Sequence, residues 1–243
     1  MKLAINVRPY TAKGSSVKGF ADVTVNDTMT IHGVQVIEGE KGLFVAMPQT
    51  SKPKEENSEE KVYSDLVFPT NAATRGFLSE SILDVYFPEG VTFNTYTNKD
   101  LPNQEIKVRV TPYTKEGRNI RAMASATIGD FHINNITILK GNNNLFVSYP
   151  SKAYEKNGQK QYQEIIELAP PIRQMVNGML LNEYKHVIDQ AIQKQLEERE
   201  AAEPKDPIPQ KEKKTPAPVM DSTQKKKIKT PTPAMEPEVE MER

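Results

Sequence analysis

The chain carries one pattern twice. Residues 36–48 read V-I-E-G-E-K-G-L-F-V-A-M-P, and residues 138–150 read I-L-K-G-N-N-N-L-F-V-S-Y-P. Each is an apolar run, a Gly-led turn (Gly39 to Gly42, Gly141 to Asn144), a second apolar run containing Leu-Phe-Val, and a closing Pro. A short Gly/Asn turn between β-branched or aromatic runs predicts a hairpin. Pro cannot donate to a sheet ladder, so Pro48 and Pro150 are expected to close the second strands. Phe44 and Phe146 are expected in the core. Recurrence at this distance frames the whole chain as an internal duplication.

The duplication extends both ways from the hairpins. Val7 to Thr11 matches Val110 to Thr114, and Gly14 matches Gly117. Val17, Gly19, Ala21, Val23 and Val25 alternate along one face, as do Ile120, Ala122, Ala124, Ala126 and Ile128. Period two over nine residues predicts a long strand with one buried face. Small residues at its middle leave room for a helix, and Lys18 and Arg121 take the opposite face. After each hairpin comes a polar loop, 49–62 and 151–161, the second with a two-residue turn signal at Asn157-Gly158. A short strand follows each loop, near Val62 to Phe68 and Tyr162 to Leu168.

Each copy ends in a helix. In the first, Thr70 or Asn71 can cap, and Leu78, Ile82, Val85 and Tyr86 form the apolar stripe. In the second, Pro170-Pro171 starts the helix, and a stripe from Ile172 through Val176, Leu180 and Tyr184 reaches Ile192. This helix is expected to run to about Glu203, before Pro204. Its part beyond Tyr184 has no counterpart in the first copy and is a candidate contact for another chain. The fold class expected is α+β: domains 1–90 and 105–203, each a small antiparallel β-sheet with a C-terminal helix, joined by a linker at 91–104. Residues 204–243, rich in Pro, Lys and Glu and without Gly or aromatic residues, are expected to be a disordered tail.

Several function classes are disfavoured at once. The chain has no Cys, which excludes disulfides, thiolate zinc sites and a Cys nucleophile. Its three His, at 32, 132 and 186, lack metal-ligand spacing. There is no phosphate-binding Gly motif and no Ser-His-Asp set, so neither catalysis nor a cofactor or metal is expected. The N-terminus lacks the apolar core of a signal peptide, and no run is long enough for a membrane span, so the cytoplasm is the default compartment.

Formal net charge is zero, but it is unevenly spread. Residues 1–90 carry nine Lys/Arg against twelve Asp/Glu, and residues 91–196 carry thirteen against nine. Loop 151–161 sets Lys152, Lys156 and Lys160 against Glu155 alone, whereas the lysines of loop 49–62 are outnumbered by glutamates. A lysine cluster can bind phosphate and release counterions. Lys152, Lys156, Lys160 and Arg173 are therefore candidate nucleic-acid contacts, with Lys18 and Arg121 as possible extensions of the surface. Tyr10 and Tyr113 are read as packing at the sheet edge rather than stacking on bases. Lys225-Lys226-Lys227-Ile228-Lys229 in the tail reads equally as a weak contact or a spacer.

The twin hairpins, Thr74-Arg75-Gly76, Leu83 to Tyr86, the L-F-V-S-Y-P-S-K run and Leu181-Asn182-Glu183-Tyr184 together resemble the SpoVG (stage V sporulation protein G, septation regulator) family. The match covers about residues 3–87 and 106–188, once in each copy. The resemblance implies small cytoplasmic regulators that dimerise and bind DNA and RNA, linked by name to septation and sporulation. It implies nucleic-acid contacts at Lys52, Lys54 and Arg75 in copy one, and at Lys152 and Arg173 in copy two. It also implies that the two copies pair within one chain as a pseudo-dimer, with a homodimer as the alternative. A non-enzymatic protein-interaction adapter, using the extended helix and the tail with nucleic-acid binding lost, is the competing reading.

Overall fold

A computed structural model describes residues 1–54, 59–99, 105–115 and 117–202. The tail at 204–243, with its Lys225 to Lys229 block, lies outside the described residues.

Copy one opens as a meander of β1 (Lys2–Pro9), β2 (Val17–Val25), β3 (Met29–Gly39) and β4 (Gly42–Ala46). Copy two repeats it as β9 (Ile106–Pro112), β10 (Ile120–Ile128), β11 (Phe131–Lys140) and β12 (Leu145–Ser148). The alternation read from the sequence appears as burial: Ala21, Val23 and Val25 face inward, as do Ala122, Ala124, Ala126 and Ile128. The turn from β2 to β3 has both central residues at positive φ, Asn26 at 50° and Asp27 at 55°. Asn and Asp tolerate that region, and such a turn suits the twist of a hairpin.

Helix α1 (Ala72–Val85) starts where Asn71 accepts a hydrogen bond from the Thr74 backbone N–H at 2.8 Å. It buries Leu78, Ile82 and Val85. A Cβ on Gly19 would meet the Tyr86 ring at 3.1 Å, so the small residue in β2 gives the end of α1 its place. Helix α2 (Pro170–Ala202) buries Val176 and Leu180, and its apolar residues become exposed along its length, with Ile192 51% and Leu196 53% accessible.

The polar segments after the twin hairpins are not loops. In copy one, β5 (Gln49–Pro53) pairs with β6 (Lys61–Asp65); in copy two, β13 (Ser151–Lys156) pairs with β14 (Gln159–Glu164). Both are two-stranded ribbons standing off the main sheets. Asn157 and Gly158 turn the second at φ 54° and 73°.

Each ribbon leads into a strand of three residues, β7 (Val67–Pro69) or β15 (Ile166–Leu168), that joins the other copy's sheet. β7 pairs with Phe131–Ile133 of β11, and β15 pairs with Met29–Ile31 of β3. The exchange uses matched bonds: the His32 N–H donates to the Ile165 carbonyl and the Asn134 N–H to the Leu66 carbonyl, each at 2.8 Å. Long β3 and β11 serve two partners along one edge, their own hairpin mate and the visiting strand. Val67 and Ile166 are fully buried in a core drawn from both copies.

Two expectations are corrected here. Phe44 and Phe146 are not core residues; they are 48% and 45% exposed. The buried side of the hairpins is carried by Val34, Val36 and Met47 in copy one and Ile136, Ile138 and Tyr149 in copy two. β4 and β12 are edge strands, and Phe44 lies over the bare backbone of Gly39, 3.1 Å from where a Cβ would stand. Residues 91–104, read as linker, contain strand β8 (Thr92–Thr97), which pairs with β1 from Lys2↔Thr97 to Val7↔Thr92. Alternating Thr and aromatic residues favour a strand, and β1 otherwise presents an open edge.

Candidate nucleic-acid interface

The ribbon register sorts the candidate cations by face. Residues directly opposite each other in an antiparallel pair share a side. In β13–β14, Lys152↔Gln163, Tyr154↔Gln161 and Lys156↔Gln159 occupy one face. Ser151↔Glu164, Ala153↔Tyr162 and Glu155↔Lys160 occupy the other. The first set therefore holds Lys, Gln and Tyr without a carboxylate, and the second holds both acids. Tyr154 donates its hydroxyl hydrogen to Gln161 Oε1 at 2.9 Å. Lys160 stands 5.6 Å from the centroid of the exposed Tyr162 ring. Lys152 is exposed and makes no hydrogen bond or ion pair among the described residues.

In β5–β6, Lys52↔Val62 is the last full pair before Pro53↔Lys61. Lys52 is exposed, whereas Lys54 is tied to Glu60 at 2.7 Å. Arg75, in the first turn of α1, is exposed and without an ion pair among the described residues.

Arg173, its counterpart in α2, is committed elsewhere. Its guanidinium makes two hydrogen bonds to Glu164, at 2.8 and 2.6 Å, and lies 4.9 Å from the Tyr149 ring centroid. Those bonds raise its affinity for the proton further. Burial pushes the Tyr149 hydroxyl up to about 12, and the hydroxyl meets Asn177 Oδ1 at 2.9 Å. Arg173 thus locks the ribbon base to the helix. Copy one has Met47 in place of Tyr149, and its Asp65 accepts from Gln49 instead, so Arg75 stays open. Arg121 donates to the Arg118 carbonyl at 3.1 Å, and Lys18 pairs with Glu38 at 2.7 Å.

A polar cluster that spacing did not disclose lies on the outer face of the copy-one sheet. A β-bulge sets His32 and Gly33, φ 74°, opposite Asp22. His32 Nδ1 lies 3.1 Å from Asp22, its Nε2 lies 3.4 Å from Glu167 of the visiting strand β15, and Arg8 donates to Asp22 at 2.8 Å. The hydrogen bond to Asp22 raises the His32 pKa against the opposing effect of burial. For Asp22, burial pushes up, but the bond to His32 and the charges of Arg8 and His32 outweigh it and hold the carboxyl below its usual value. Ten residues of sequence, then 135, separate His32 from its two acids, and only the bulge and the strand exchange bring them together.

The cluster borders a groove of about 480 Å³ whose walls come from the copy-one sheet and from the bases of both ribbons. Lys152, Tyr154 and Gln163 line it from copy two. Among the described residues there is no group of three acids and histidines placed for a metal, and no helix long and apolar enough to cross a membrane.

The geometry defines a class: two copies of one antiparallel sheet-and-helix unit, interlocked by reciprocal short strands, with a β-ribbon arm projecting from each. The SpoVG family model matches residues 1–88 and again 104–186. The chain belongs to the SpoVG family, as two tandem copies. It is similar to SpoVG proteins named for septation from Agathobacter rectalis (38% identical, over 35% of this chain and 90% of the relative) and Geobacillus thermodenitrificans (39%, over 34% and 78%). A like-named protein of Clostridium novyi is 33% identical over 40% of this chain and 86% of the relative. Each relative is therefore about one copy long.

Proposed function

We propose that this chain is a non-enzymatic regulator that binds DNA or RNA, with ribbon β13–β14 as its principal contact. The observation that supports this reading most is the ribbon face at Lys152, Tyr154, Gln159, Gln161 and Gln163, cationic and amide-rich without a carboxylate. A two-stranded ribbon is narrow enough to enter a major groove, and amides and lysines there can meet base edges and phosphates. Lys152 and Lys156, at register positions on that face, are the proposed phosphate contacts. Lys52 and Arg75 provide weaker support from copy one. Arg173 is assigned to architecture, and Lys54 and Lys160, each facing an acid, to local charge balance. Membership in a family whose relatives are named for septation supports a regulatory role in that process.

The interlocked copies are proposed to act as an internal pseudo-dimer, needing no second chain to complete the fold. The test is affinity for mixed-sequence DNA and RNA across a salt series. The double variant Lys152→Ala/Lys156→Ala should bind more weakly, and on duplex its log–log salt slope should flatten by roughly 1.8, at about 0.9 per phosphate contact. An unchanged affinity and slope would remove the ribbon from the account. The adapter reading draws on exposed Ile192 and Leu196 on α2, and it predicts no salt-dependent binding to either nucleic acid.

A further inference from the structure

The groove beneath ribbon β13–β14 is asymmetric in a way the duplication alone does not require. Along the outer face of the copy-one sheet, the base of the copy-two ribbon helps wall a groove of about 480 Å³, within the range of pockets that hold small ligands. On the matching face of copy two, Ser125 replaces Asp22, Asn134 replaces His32 and Met123 replaces Phe20. The cleft there is about 170 Å³ and has no ribbon residue in its lining. Among the described residues, the larger cradle of these two faces is thus the one built jointly by both copies.

Its lining has a specific chemistry. Phe20 is half-buried on the outer sheet face, with Tyr10 against its edge at a centroid distance of 5.3 Å and an interplanar angle of 76°. Gln35 sits directly opposite Phe20 in the sheet, and Gln163 faces the groove from the ribbon. Tyr154 adds a second aromatic group. Arg8 gives Asp22 a hydrogen bond from one guanidinium nitrogen and keeps a side chain 52% exposed. Lys152 stands at the mouth, exposed and without a partner among the described residues. An aromatic plane, amides that both donate and accept, and two cations at the rim match a flat heterocycle carrying a phosphodiester. A double helix keeps its bases stacked and must pay to unpair and unstack one before such a recess can take it, a cost that a single strand largely avoids.

We infer that this inter-copy cradle takes one unstacked nucleotide of a single-stranded nucleic acid, its base against Phe20 and Tyr154, its edge to Gln35 and Gln163, and its phosphate to Lys152 and Arg8. The inference rests on the nucleic-acid reading above and narrows it to a strand with at least one splayed base. A free nucleotide carries the same chemistry, so the two sources must be separated.

The test uses the full chain. Affinities are measured for a single-stranded RNA 12-mer, a duplex of equal length and a mononucleotide, with the wild type and with Phe20→Leu, which keeps apolar bulk but removes the aromatic plane. The expected result is a loss of roughly tenfold for the single strand, the size of one base-stacking contact, with duplex affinity kept within about twofold. The mononucleotide should bind far more weakly than the 12-mer. Photocrosslinking of a halogenated-uracil 12-mer to the wild type, read by peptide mass spectrometry, does not depend on the variant's folding. It should place adducts at Phe20 or Tyr154. Equal loss on both strand types, or adducts confined to other segments, would overturn the cradle while leaving the ribbon reading intact. Saturable binding of the mononucleotide without binding of the 12-mer would overturn the strand assignment. If neither single strand nor duplex binds, the functional reading fails, and the inference falls with it.

Discussion

At the scale of single residues, one arginine and one histidine carry most of what is new. Arg173 and Arg75 occupy matching helix positions, yet only Arg173 is closed off by a carboxylate and an aromatic ring. Arg173→Ala removes charge-assisted hydrogen bonds that are about one-third exposed, so the discounted cost is about 1 kcal/mol, or about 2–4 °C in Tm. Its salt slope for nucleic acid should stay at the wild-type value; a flattened slope would return Arg173 to the phosphate contacts. His32 titrates against Asp22 and Glu167. Its pKa is raised, so the bond to Asp22 contributes fully below the ordinary value of 6.5 and is lost as pH rises through the higher folded value. Thermal stability of the wild type should therefore fall over that interval just above 6.5. His32→Asn, which copies the residue at position 134, should flatten the loss. The same slope in both proteins would show that the cluster does not couple to folding.

At the scale of elements, the sequence shows what is local and hides what is remote. The twin hairpins and the Asn157-Gly158 turn rest on contacts within a few residues and are legible as written, and the α1 cap is legible to within two residues, Thr70 or Asn71, of which the structure uses Asn71. The ribbons look like loops in the sequence because polar residues outnumber apolar ones in these exposed strands. Strand β8 is hidden because Asn94 and the Asn and Pro residues that follow the strand signal a turn while its Thr and aromatic residues signal a strand, and only the open edge of β1 decides between them. Leu-Phe-Val looks like core in the sequence, whereas at an edge strand the Phe44 ring covers a glycine. Nothing in three-residue β7 or β15 announces that each belongs to the other copy's sheet. Of the candidate site, Lys152 was legible from charge. The Arg173–Glu164 lock and the His32 cluster were not, because each depends on register between elements. The exchange gives a sharp expectation: Ile166→Ala, which empties a fully buried site at the junction, should cost about 2–5 kcal/mol. Both copies should unfold in the same transition, earlier than in the wild type; separate transitions for the copies would argue against a shared core.

At the scale of the whole molecule, residues Met1–Ala202 form one compact unit although the sequence repeats itself inside it. Holding both copies in one chain frees them to diverge, since each needs to remain complementary only to the other. Copy one has become acidic and holds the His32 cluster; copy two is basic and carries the carboxylate-free ribbon face. Light scattering on the full chain should give a monomer at micromolar concentration, and a stable dimer would show that internal pairing is insufficient. The most direct test of the central claim is hydrogen–deuterium exchange of the full chain with and without saturating single-stranded RNA. Added protection is expected in residues 151–164 and in the facing stretch 20–35, with the outer part of α2 unchanged. Protection confined to α2 beyond Tyr184, or none at all, would contradict it.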